Sequence, residues 1–88
     1  MSMTLTDEVL HDDLAVVIAQ AVAAANKQAR DFGVDVSQSL ITISQVFENG
    51  PCWRVNYGAK DYIARRGGDL IVDVDATDAT VKKVLRGQ

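Results

Sequence analysis

An apolar stripe at helical spacing, whose second half narrows to alanine, runs through the first third of this chain. Leu10, Leu14, Val17, Ala21, Ala25 and Phe32 recur near every 3.6 residues, and Ile18, Val22 and Ala29 widen the stripe. The spacing predicts a helix over 7–32, about 26 residues and about 39 Å long. Thr6 is the natural N-cap. Asp7, Glu8, Asp12 and Asp13 suit the positive end of such a helix, and Lys27 and Arg30 the negative end. Gly33 supplies a left-handed terminating residue, with Val34 as its flanking apolar contact. The alternative is a break near Asp12 with a short helical arm before it. Residues 21–25 are nearly all alanine. Alanine favours the helix and lets its backbone approach a sheet closely, so the partner of this stripe is expected to be a sheet.

Beyond Gly33 the pattern changes from period 3.6 to period 2. Residues 39–48 are rich in β-branched side chains and free of Gly and Pro. Ile41, Ile43 and Phe47 fall on one face, with Gln45 interrupting them, and Leu40, Thr42, Ser44 and Val46 fall on the other. Asn49-Gly50-Pro51 is a turn signal. Residues 52–58 read as the returning strand of a hairpin, with Trp53, Val55 and Tyr57 opposite Arg54 and Asn56. Residues 59–66 fit a continuation of that strand, a bulge or a short loop. Gly67-Gly68 is a turn. Residues 69–75 alternate again, Leu70, Val72 and Val74 against Ile71, Asp73 and Asp75, as a third strand that is half buried or at an edge. Thr77 or Asp75 then caps a short helix over 78–85, with Val81, Val84 and Leu85 as its contacts and Gly87 as its end. The expected fold is α+β: a long N-terminal helix packed on a three-stranded antiparallel sheet, with four strands as the alternative, and a short C-terminal helix.

Composition sets the bounds. The chain has 88 residues, enough for one small α+β domain over 1–88 and no second core; residues 1–5 read as a frayed tail. A single cysteine, Cys52, excludes an internal disulfide framework, a CxxC redox pair and a zinc cluster built on cysteines. It reads as a small buried hydrophobe. The one histidine, His11, reads as a solvated helix residue. The acidic, mixed start lacks the basic and then apolar pattern of a secretory signal. The longest apolar run, 14–19, is too short to span a bilayer, so the expected location is cytoplasmic and no membrane partner is expected. A net charge of −3 argues against a generic nucleic-acid binder.

The residues carry no phosphate loop, dinucleotide fingerprint, HExxH or GxSxG, and no catalytic residue, cofactor site or small-molecule substrate is assigned. Asp69, Asp73, Asp75 and Asp78 are the best oxygen-ligand cluster, yet they lack the spacing of a calcium loop. Helix capping and charge on an edge strand explain them, so no metal is assigned. Arg54, Tyr57, Tyr62, Arg65 and Arg66, with Lys60 and Trp53 nearby, are the candidate partner-binding residues, because Arg, Tyr and Trp carry much of the energy of protein interfaces. The bland reading places Trp53 and Tyr57 in the core and Tyr62, Arg65 and Arg66 on a solvated hairpin tip. With Ile43, Phe47, Trp53 and Val55 facing inward, Leu40, Val46 and Ile71 face outward on the second side of the sheet. A contiguous apolar patch there would call for a covering partner.

The run DLIVDVDATDATV over 69–81 resembles the closing strand and turn of PepSY-like domains. In these a strand ends in an Asp-Ala-x-x-Gly-like turn; Asp78-Ala79 stands where a glycine would be expected. The preceding helix, Gly33 and the strand pair ending near Tyr57 have the compatible order. The resemblance implies a binding or peptidase-inhibiting role and a secreted or membrane-associated setting. Small size, the missing catalytic constellation and a one-sided sheet predict a small non-enzymatic protein-binding or accessory domain, an inhibitor or neutralising partner, working with a protein partner or as a homodimer. The alternatives are a small enzyme subunit and a nucleic-acid-binding module using the basic and aromatic segment 54–66.

Overall fold

The computed structural model describes residues 11–59 and 69–86. One helix, α1 (Asp13–Asp31), is followed by a single turn of 3₁₀ helix at Val36–Gln38. Four strands then follow: β1 (Ser39–Phe47), β2 (Pro51–Ala59), β3 (Leu70–Asp75) and β4 (Val81–Arg86). They form an antiparallel sheet in the order β1-β2-β3-β4, so each strand pairs with its neighbour in sequence.

The helix starts at the break near Asp12. The Asp12 carboxylate accepts from the Ala15 amide at 3.0 Å, which satisfies one of the free donors of the first turn. Thr6 and the frayed tail expected over 1–5 lie outside the described residues. At the other end the Gly33 amide donates to the Arg30 carbonyl and the Val34 amide to the Ala29 carbonyl, both at 2.9 Å. With Gly33 at φ +85° this is the Schellman termination that Gly33 and Val34 predict.

Ala21, Ala25 and Ala29 are buried on one line of α1 and meet Trp53, Val55 and Tyr57 of β2 and Leu70, Val72 and Val74 of β3. Register explains the set. Trp53 lies beside Val74, Val55 beside Val72 and Tyr57 beside Leu70, so one face of the two central strands is continuous and apolar. Val55, Val72 and Val74 are wholly buried, each contributing about 1.5–3 kcal/mol by leaving water. The expectation that Trp53 and Tyr57 belong to the core is borne out.

Two expectations are corrected. No C-terminal helix forms among the described residues: Val81–Arg86 is strand β4. Asp75 and Asp78 do engage neighbouring backbone, but as turn residues. Asp75 accepts from the Thr77 amide and hydroxyl, and Asp78 from the Thr80 amide and hydroxyl. The Asp75 amide then donates to the Thr80 carbonyl at 2.8 Å, which turns the chain back along β3. Val81, Val84 and Leu85 fit helical spacing, but six residues are too few for the period to decide. Because β4 exists, β3 is a central strand and not an edge, and the sheet has four strands, the alternative to three. The segment 60–68, whose conformation the sequence leaves open, lies outside the described residues.

Candidate interaction surface

Of the five candidate partner-binding residues, Tyr62, Arg65 and Arg66 lie outside the described residues. The other two sit on opposite faces of β2. Tyr57 points under the helix, 3% exposed, and its hydroxyl donates to the Asn26 side-chain oxygen at 2.6 Å. Burial pushes its phenol up to about 12, although the nearby Arg30 guanidinium pulls the other way. Arg54 points to the face away from the helix. Its guanidinium grips Asp73 on β3 with two parallel bonds, Nε to Oδ1 at 2.8 Å and Nη2 to Oδ2 at 2.9 Å.

The Arg54–Asp73 pair follows from register, since the two residues lie directly opposite across β2 and β3. Asp73 is only 3% exposed, and a carboxylate buried to that degree requires a partner. The Arg54 hydrogen bonds hold its carboxyl below the ordinary range against the opposing effect of burial. Around this pair, Glu48 lies 3.5 Å from Arg54 and 3.1 Å from Lys83, and Lys82 lies 3.9 Å from Asp75. The hydrogen bond from Lys83 keeps Glu48 low as well. Asp75 is lowered by the Thr77 hydrogen bonds. These carboxylates are therefore charged near neutrality and matched by cations, which suits a lock between strands and not a group that gives or takes a proton. Arg54 is committed to Asp73, so it is not a free cation for phosphate. Among the described residues no three His, Cys, Asp or Glu side chains group as a metal site.

The larger surface feature is one that alternation alone does not reveal. Ile41 lies beside Tyr57, Ile43 beside Val55 and Gln45 beside Trp53, so β1 continues the apolar face of the core. The helix, however, packs on β3 and β2 and more lightly on β4. It leaves β1 uncovered. Ile41 is 37% exposed, Ile43 41% and Phe47 73%, and Leu40 on the opposite face is 55% exposed. Ile43 and Phe47 thus face the helix side as expected without being buried by it. Leu14 and Val16, exposed near the start of α1, add to the apolar surface. The described residues of β1 carry no charge from end to end.

Trp53 adds a smaller anomaly. Its indole Nε1 is the one buried side-chain nitrogen or oxygen without a hydrogen-bond partner among the described residues. Cys52 is a free, buried thiol, as expected. No helix among the described residues is long and apolar enough to cross a membrane. Comparison with protein-family models, curated proteins and solved structures finds no match to this chain.

Proposed function

We propose that this chain is a small non-enzymatic protein-binding or accessory domain, with a role such as an inhibitor or neutralising partner, and that β1 is its binding strand. The carrying observation is that a nine-residue strand displays large apolar side chains on both faces while the only described helix lies over the neighbouring strands. Exposed apolar area of this kind, gathered along one element, is what interaction surfaces present. A sheet edge also offers a ready row of backbone donors and acceptors to an incoming strand. The resemblance of 69–81 to PepSY-like domains implies a binding role as well.

Phe47→Asp and Leu40→Asp place charges on the exposed strand without entering the core. Affinity capture from native lysate, with the bound chains identified by mass spectrometry, compares both with the unaltered protein. A defined chain held by the unaltered protein and lost from both variants is the expected result. No bound chain, a further copy of the same protein included, or the same chains with all three baits, overturns the reading.

A further inference from the structure

We infer that the partner of β1 is a second copy of the same strand: two chains join edge to edge, antiparallel, about a two-fold axis at Ile43. This rests on the reading of β1 as an interaction strand and names its occupant.

The direction of the backbone groups comes from one hydrogen bond. The Pro51 carbonyl accepts from the Ala76 amide beyond β3, so odd-numbered residues of β2 turn their polar groups toward β3 and even-numbered ones toward β1. Even residues of β2 face even residues of β1. The amides and carbonyls of Ser39, Ile41, Ile43, Gln45 and Phe47 therefore point out of the sheet, along an edge that has no neighbouring strand among the described residues.

Those groups match a copy of themselves. With Ile43 on the axis, Ile43 exchanges hydrogen bonds with the second copy's Ile43, Ile41 with its Gln45 and Ser39 with its Phe47. All nine residues are used. Between these rungs the closer, non-bonded pairs set Thr42 against Ser44, hydroxyl to hydroxyl, and Leu40 against Val46, aliphatic to aliphatic. Such cross-strand pairs are favourable ones. A two-fold contact brings each side chain near its own kind, and β1 tolerates this because it holds no charge, although each chain is net −3.

The two edges of the sheet are built differently. β4 carries Lys82, Lys83 and Arg86, and its register with β3 slips at Asp73/Val74. Lysine and a bulge are the usual guards of a strand edge. β1 has neither, and no proline. The exposed portions of Leu40, Ile41, Ile43 and Phe47 amount to about two whole large side chains, or roughly 350 Å² in each copy. Edge pairing covers the part of this area that borders the seam, at most roughly 700 Å² over the two copies, with backbone edges about 30 Å long; this is a small interface, below the roughly 1,000 Å² of a stable one, and should dissociate on dilution.

The test is solution mass across a dilution series, by light scattering or sedimentation. The unaltered chain is expected at twice its monomer mass, dissociating on dilution. Gln45→Pro removes an outward amide without touching the β1–β2 ladder, and Ile43→Lys sets two ammonium groups together on the axis; each should weaken the pair about 100-fold or more. Leu85→Lys, on β4, should leave it unchanged. Register is read separately by oxidation. Ile43→Cys faces its own copy at a distance of about 5.5 Å between Cα atoms and should cross-link, whereas Ser44→Cys alone should not. A chain that stays monomeric at every dilution, a dimer indifferent to both β1 variants, or cross-linking through position 44 alone overturns the inference. An unaltered chain that is monomeric at every dilution yet still shows Phe47-dependent capture would overturn the self-pairing and leave β1 as a binding strand with another occupant.

Discussion

Tyr57→Phe keeps the ring in the core and removes one hydroxyl, so it isolates the 2.6 Å bond to Asn26. At neutral pH that loss should cost about 1 kcal/mol, the usual net worth of a neutral hydrogen bond. The same hydroxyl becomes a liability in alkali. Burial raises its folded pKa to about 12, against about 10 when unfolded. A raised folded pKa means that the unfolded chain loses its proton first. The contribution is intact below about pH 10, falls by about 1.4 kcal/mol per pH unit, and is about 2.7 kcal/mol lower once pH passes about 12. The loss reaches about 1.4 kcal/mol near pH 11, which already exceeds what the hydrogen bond supplied. The stability curves of the two proteins should therefore cross near pH 11, with Tyr57→Phe weaker below the crossing and stronger above it. Urea unfolding followed by the fluorescence of Trp53, the single tryptophan, measures this. Lysine titration is common to both proteins and cancels in the difference. A difference that stays constant from neutral to strongly alkaline pH would refute the burial argument.

Other expectations concern the lock, the core and one turn. Arg54→Leu strands the Asp73 carboxylate. In the unaltered chain Asp73 has a lowered pKa, so its stabilisation is present above about pH 4 and fades as pH falls through the lower folded value. In the variant that acid-side loss should shrink or reverse, and an unchanged acid limb in a pH series of urea midpoints would contradict the pairing. Val72→Ala, at a wholly buried central position, should cost about 2–3 kcal/mol through lost transfer and a residual cavity, whereas Leu14→Ala on exposed helix should stay within about 0.5 kcal/mol; equal effects in thermal or urea unfolding would place the core elsewhere. Ala79→Gly relieves a left-handed backbone at φ +60°, worth about 1–2 kcal/mol, against about 0.4–1 kcal/mol of added unfolded-state entropy. A higher urea midpoint is expected, and a lower one would show that the turn is not strained.

Period and punctuation made most of the fold legible. The alanine stripe, Gly33 and the Asn49-Gly50-Pro51 turn placed the helix end and the first hairpin, and alternation sorted both faces of β2 and β3 correctly. The misreading at β4 has a local cause. Val81, Val84 and Leu85 satisfy helical spacing over a segment too short to exclude a strand, and aspartates that cap helices also close turns. What alternation cannot supply is coverage. It assigns Ile43 and Phe47 to the core-facing side, but only the position of the helix decides whether anything lies above them. The Arg54–Asp73 lock was hidden for a related reason. Opposite charges on neighbouring strands are a visible signal, yet they meet only in one register, and residues 60–68 between the strands gave no means to count it.

The alanine line of α1 has a consequence for how the helix finds its place. Ala21, Ala25 and Ala29 repeat every four residues with almost no exposure. A contact surface made of identical small methyls is smooth along its length: sliding the helix by four residues, about 6 Å, puts alanine where alanine was. Packing alone therefore leaves neighbouring positions nearly degenerate. The choice among them falls to groups that do not repeat, namely Asn26 reaching Tyr57 and the Phe32 carbonyl receiving Arg86 at 3.3 Å. In this domain the apolar stripe brings helix and sheet together, and a few polar contacts set the index mark.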